Sequence, residues 1–210
     1  MTQTQLANKT KKSLPKGWHW VKLKEMGVFE AGGTPAKERV DYWNGEIPFV
    51  TGADITALYI DRANARAFLT REGLYSGKTA ICESGTVLIV TRTRVGRIGI
   101  AKETMGASQD ITTFKCGSEI HQEFICRYLL NVAEHLIDNC RGATIQGLTR
   151  EFVDNIAIPL PPLTEQQRIA RILREQMASV EKARAAAEDE LKTINALPTA
   201  LLRRAFNGEI

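Results

Sequence analysis

The spacing of apolar positions divides the chain into two regions of different period. Trp18-His19-Trp20-Val21-Lys22-Leu23 alternates as a short strand does, following a turn at Leu14-Pro15-Lys16-Gly17. Residues 86–90, Thr-Val-Leu-Ile-Val, form the clearest strand, entered through Ser84-Gly85; residues 97–101, 111–116 and 156–158 read as further strands. Gly73 and Ser76-Gly77 break any long helix over residues 66–83. Residues 120–139 switch to helical spacing, with Phe124, Ile125, Tyr128, Leu129, Val132 and Leu136 on the apolar side. Between these segments lie polar loops: Gly32-Gly33-Thr34-Pro35, an Asn44-Gly45 turn, Thr51-Gly52-Ala53-Asp54 after the apolar Ile47-Pro48-Phe49-Val50, and Arg141-Gly142-Ala143-Thr144. Trp43, Phe49, Leu88 and Ile98 are core positions, and Gly33, Gly52 and Gly142 set loop shape. Pro159, Pro161 and Pro162 then close the globular part, because proline denies donors to ladders and helices alike.

From Thr164 onward the period approaches seven. Thr164 and Gln167 have capping-box spacing, and the helix they open runs over residues 164–197. Leu173, Val180, Ala187 and Ile194 form one apolar column; Ala170, Met177 and Leu191 form another, interrupted by Arg184. Such a seam either lies across the globular domain or pairs with a helix of another chain, the latter reading being favoured. Pro198 is expected to break the helix, leaving a short amphipathic helix with Leu201, Leu202 and Phe206 that stops near Gly208. The expected architecture is α+β: a flexible basic segment 1–13, a mixed α/β domain 14–163, the long helix 164–197 and a short helix and tail 198–210.

Composition narrows the function. The 210 residues carry 43% apolar side chains and a net charge of +4, enough apolar content for a core and too much for wholesale disorder. Six lysines and no acid fall within residues 1–24, so the remainder is near neutral, about −2, and any nucleic-acid surface must be a local patch. There is no membrane-length apolar run and no apolar core of a secretory signal, so a cytoplasmic protein is expected. Cys82, Cys116, Cys126 and Cys140 form no metal-ligand spacing and read as reduced thiols. Walker, GxGxxG, GxSxG and HExxH motifs are absent; the histidines are singletons; and the prolines at 159–162 lack the flanks of an adenine-methyltransferase motif. No catalytic constellation, metal site or cofactor site is expected.

The positive signal concerns DNA. Residues 84–102 contain no acid and carry Arg92, Arg94, Arg97 and Lys102. Arginines on a polar link between strands can reach phosphates or base edges with a rigid fork. Ser108-Gln109-Asp110 and the glycine-flanked Arg141 to Gly147 loop add hydrogen-bonding groups. Each loop alone is a weak signal; together they describe a loop-built reading surface held by a sheet.

Read in order, these pieces resemble the specificity subunit (HsdS) of type I restriction-modification systems. The resemblance rests on Leu14-Pro15-Lys16-Gly17-Trp18, Gly32-Gly33-Thr34-Pro35, Tyr42-Trp43-Asn44-Gly45-Glu46-Ile47-Pro48-Phe49-Val50, Gly85-Thr86-Val87-Leu88-Ile89, Gly142-Ala143-Thr144-Ile145-Gln146-Gly147, Ile156 to Leu163 with Glu165-Gln166, and the Phe206-Asn207-Gly208-Glu209-Ile210 end. It covers about residues 14–210 and implies a single target recognition domain in a half-length form, where family members carry two. It implies a non-catalytic subunit that binds double-stranded DNA and directs methyltransferase (modification) subunits and a restriction endonuclease subunit. S-adenosylmethionine and the transfer to adenine N6 belong to the methyltransferase partner, which must flip the adenine. Two copies, or this chain and another specificity half, would pair their helices antiparallel and read a bipartite target with a fixed spacer. The expected DNA contacts are Thr34, Thr51, Asp54, Arg92, Arg94, Arg97, Gln109, Arg141, Thr144 and Gln146. The expected dimer interface is Leu173, Met177, Val180, Ala187, Leu191 and Ile194. The alternative is a structural or regulatory fragment that binds methyltransferase subunits without reading DNA.

Overall fold

A computed structural model describes residues 14–76, 79–140 and 147–210. Among the described residues, eleven strands make three sheets. β1 (His19–Lys22) pairs antiparallel with β11 (Ala157–Leu160), Trp20 opposite Pro159. A five-stranded sheet runs β2 (Gly27–Ala31), β10 (Ile111–Cys116), β7 (Val87–Val90), β8 (Ile98–Ala101), β4 (Tyr59–Ile60). A four-stranded sheet runs β5 (Ala67–Leu69), β3 (Trp43–Val50), β9 (Met105–Ala107), β6 (Ala80–Cys82). Most pairs are antiparallel, but β3 with β9 and β4 with β8 are parallel, so both larger sheets are mixed.

β7 and β8 are buried at every position, as their unbroken apolar runs require of central strands. Val50, Cys82, Met105 and Ala107 from the four-stranded sheet meet Ile60, Leu88, Val90, Ala101 and Ile111 from the five-stranded one in a shared core. Phe49, Leu88 and Ile98 are buried as expected, whereas Trp43 is only half-buried and donates Nε1–H to the Ala36 carbonyl at 3.1 Å. The α-helices described before residue 163 are α1 (Arg71–Leu74), α2 (Gln122–Asn131), α3 (Ala133–Cys140) and α4 (Arg150–Asp154).

Three further local expectations are corrected, besides those for Trp43 and Pro198. Asn44-Gly45 makes a bulge inside β3, not a turn: Leu69 pairs with both Trp43 and Ile47, and Asn44 takes φ 62°. Asparagine tolerates that left-handed conformation, and a Cβ on Gly45 would stand 2.3 Å from the Leu69 carbonyl oxygen. The single helix expected over 120–139 is two, because Val132 sits at φ −101°, ψ 14° and interrupts the helical path. Thr164 does not cap the long helix, which starts one residue earlier; the Glu165 and Gln166 amides donate to the Pro162 carbonyl.

The chain divides into two compact units, residues 1–167 and 168–210. A single helix, α5 (Leu163–Phe206), enters the second unit and continues through Pro198 to Phe206, where a break had been expected. Its 44 residues correspond to roughly 66 Å. Proline removes one hydrogen bond and crowds the preceding turn, at a cost of about 3 kcal/mol. Every residue from 174 to 210 is exposed, so the carbonyl it leaves without a donor can reach water. The alternation of four- and three-residue steps through Leu173, Met177, Val180, Arg184, Ala187, Leu191 and Ile194 therefore carries on to Pro198, Leu201 and Ala205 along one helix. No described helix is long and apolar enough to cross a membrane.

Candidate nucleic-acid interface

The turn Ser108–Gln109–Asp110, between β9 and β10, is the hub on which several loops converge. Gly33 donates its amide to the Ala107 carbonyl and Gly32 to that of Ile111, both at 2.9 Å. A Cβ on Gly32 would stand 2.0 Å from the Ser108 carbonyl oxygen, so only glycine permits this approach. Thr34 then donates its hydroxyl proton to Gln109 Oε1. The Ser108 amide bonds the Val50 carbonyl at 2.9 Å, fixing the hub against the start of the 51–54 loop. A Cβ on Gly52 would meet Val90 at 2.8 Å and Asp110 at 3.6 Å. On another side, the amides of Thr91 and Arg92 donate to the Asp110 carbonyl at 2.8 and 3.3 Å, while the Thr93 hydroxyl donates to Asp110 Oδ1 at 3.3 Å. Arg92 forms an isolated bridge with Gly147, and Leu148 donates to the Thr91 carbonyl at 2.8 Å.

Of the expected contacts, Thr34, Thr51, Arg92, Arg94 and Gln109 thus belong to one loop cluster. Arg92, Arg94 and Gln109 are exposed and Thr34 and Thr51 half-buried. Thr93 between the two arginines has φ 61°. A β-branched residue there is strained by about 1–3 kcal/mol and persists only because its surroundings hold it.

Two expected contacts have inward roles. Asp54 is 2% exposed; its Oδ2 accepts from the Thr51 amide at 2.8 Å and the Thr51 hydroxyl at 2.7 Å, so it shapes the loop from within. Arg97 is half-buried and donates through Nη1 to the Ala53 carbonyl at 3.1 Å, tying the arginine link to the 51–54 loop. Arg141, Thr144 and Gln146 lie outside the described residues.

Sequence reasoning missed Arg66, whose Nε lies 3.0 Å from Asp54 Oδ1 and whose side chain is 72% exposed. No motif marks it; its significance comes only from a carboxylate brought to it by the fold. Among the described residues no group of three or more His, Cys, Asp or Glu side chains could hold a metal. The four cysteines are unpaired thiols, and burial raises all four, Cys82, Cys116 and Cys126 to about 12.

Residues 15–188 match the family described as the type I restriction modification DNA specificity domain. The chain belongs to that family. It is 29% identical over 166 residues to the type I restriction enzyme MjaIX specificity subunit of Methanocaldococcus jannaschii, an alignment covering 76% of this chain and 38% of that subunit. The crystal structure of the HsdS subunit from Thermoanaerobacter tengcongensis superposes with a TM-score of 0.66 at 28% identity, over 99% of this chain and 50% of that one. A chain from a structure concerned with complex assembly and conformational transition of the type I R-M system gives a TM-score of 0.76 at 28% identity, over 99% of this chain and 51% of that one. This member of the specificity-domain family spans about half the length of those solved chains.

Proposed function

We propose that this chain is a non-catalytic DNA sequence-specificity subunit of a type I restriction-modification system. Each protomer reads one half of a bipartite double-stranded target and directs partner adenine-N6 methyltransferase and endonuclease subunits to it. The observation that carries this reading is the convergence of separate loops on Ser108–Asp110, with Arg92, Arg94 and Gln109 exposed together. Arginine and glutamine supply the fork and amide geometries that suit guanine and adenine edges, and threonine hydroxyls and glycine amides suit phosphates. Family membership supports it independently.

The partner of the helical unit in this reading is a second copy of the chain. Met177, Val180, Leu191, Ile194 and Leu201 are each more than half exposed along one seam. Parallel pairing would set Arg184 against its own copy at a seam position, whereas antiparallel pairing sets it against a different residue. An antiparallel pair carries one recognition domain at each end and fixes the spacer between inverted half-sites. A different specificity half with a matching seam would give an asymmetric target instead.

The test is the double substitution Arg92→Ala, Arg94→Ala in the full chain. DNA binding should fall at least about 10-fold, with a shallower salt dependence if phosphates are contacted, while mass in solution stays unchanged. Undiminished binding and selectivity would remove this surface from the account.

A further inference from the structure

Two carboxylates are buried among the described residues, and their cations are placed differently. Glu123 faces Arg127, which is itself 14% exposed, and accepts a hydrogen bond from the Tyr59 hydroxyl at 2.8 Å; that pair is internal. Asp54 faces Arg66, which is 72% exposed. Thr51 occupies Oδ2 with two donors, leaving Oδ1 for the guanidinium. The 3.0 Å approach of Nε to Oδ1 is a charge contact without hydrogen-bond alignment, so Oδ1 lacks a donor although it is buried.

A carboxylate is withdrawn from water here to face a cation that projects into it, an arrangement that adds little to a core. What it does provide is an arginine drawn toward a fixed, buried charge while 72% of its side chain stays exposed. The planar guanidinium fork matches guanine O6 and N7 in bidentate fashion more rigidly than a flexible ammonium does, whereas either cation serves phosphate. The loop carrying Asp54 is the one fixed by Arg97 at Ala53 and packed through Gly52 on Asp110, so Arg66 stands beside the same loop cluster.

We infer that Arg66 reads a guanine in the target, with Asp54 as its positioning residue. The inference rests on the DNA-reading function proposed above.

The experiment selects a random double-stranded DNA library on the purified full chain and on its Arg66→Ala, Arg66→Lys and Asp54→Asn variants, then sequences the bound fraction. The wild-type motif should contain a guanine whose preference Arg66→Ala reduces by about 5- to 150-fold, other positions being kept. Arg66→Lys should retain overall binding and weaken the same preference, since a flexible ammonium lacks the rigid fork. Asp54→Asn should blur that position most, with smaller changes where the 51–54 loop that it shapes is read; if it does not fold, the two exposed Arg66 variants decide the matter. An unchanged motif in Arg66→Ala overturns the inference and leaves the DNA-reading function standing. So does a loss of binding equal on all sequences in Arg66→Ala and repaired by lysine, which marks a phosphate contact. No enrichment by the wild-type chain overturns the DNA-reading function itself, and this inference with it.

Discussion

Arg97 donates through Nη1 to the main-chain carbonyl of Ala53 at 3.1 Å, and the Ile55 carbonyl lies 3.5 Å from the same nitrogen. One guanidinium thus joins the arginine link after β7 to the loop after β3. Hydrogen bonds from charged donors are worth about 1.5–3 kcal/mol, and the partial exposure of Arg97 discounts this to about 1–2 kcal/mol. Arg97→Ala should lower stability by that amount in urea denaturation with an unchanged m-value. It should also weaken DNA binding even where Arg92 and Arg94 are intact. Unchanged stability would show that the two loops hold together without it.

Gly32 marks the closest approach in the loop cluster. An added Cβ would stand 2.0 Å from the Ser108 carbonyl oxygen and 2.8 Å from those of Ala107 and Ile111, all backbone atoms with little freedom to move. Gly32→Ala should therefore cost about 1–3 kcal/mol, or several degrees in Tm, and displace Thr34 from Gln109. A thermal melt matching wild type would contradict the tight seating of this loop.

Burial holds the Cys82, Cys116 and Cys126 thiols protonated, with values pushed up to about 12 from about 9. Their thiolate fraction at pH 8 is about a thousandfold below that of an unperturbed thiol, and it rises only as pH approaches the shifted values. Native protein should alkylate slowly at these three positions, and in denaturant all four cysteines should react. Mass spectrometry after a timed iodoacetamide pulse reads the difference. Rapid native labelling of Cys126, which is fully buried in α2, would mean that the helix opens on that timescale.

The exposed seam of α5 predicts a dimer. Each large apolar side chain removed from water contributes about 1.5–3 kcal/mol, and glutamates in their place would have to be buried without partners. Val180→Glu with Leu191→Glu should give a monomer by multi-angle light scattering while the globular unit melts as before. A persistent dimer would place the contact elsewhere.

Much of this was legible in sequence, for identifiable reasons. Val87–Val90 and Ile98–Ala101 are central strands buried on both faces, so their composition alone marks them. The seven-residue period of α5 survives because exposed seam positions follow one spacing along one helix. Asn44-Gly45 was misread because the same residues that favour a tight turn also favour a bulge, and the choice depends on β5, a distant partner. Pro198 was misread because a solvated helix tolerates a missing bond that a buried one would not. At the site, the loops could be named but not their orientations. Nothing local distinguishes Arg94, facing solvent, from Arg97, turned onto Ala53. Asp54 and Arg66 acquire their relationship only through the fold.

The most direct measurement is the adenine methylation pattern of cellular DNA, read by single-molecule sequencing, with the methyltransferase partner expressed alone and together with this chain. The account predicts a new bipartite motif, two inverted identical halves around a fixed spacer, methylated only when the chain is present. With both proteins confirmed as expressed, the absence of any new methylated motif would contradict it.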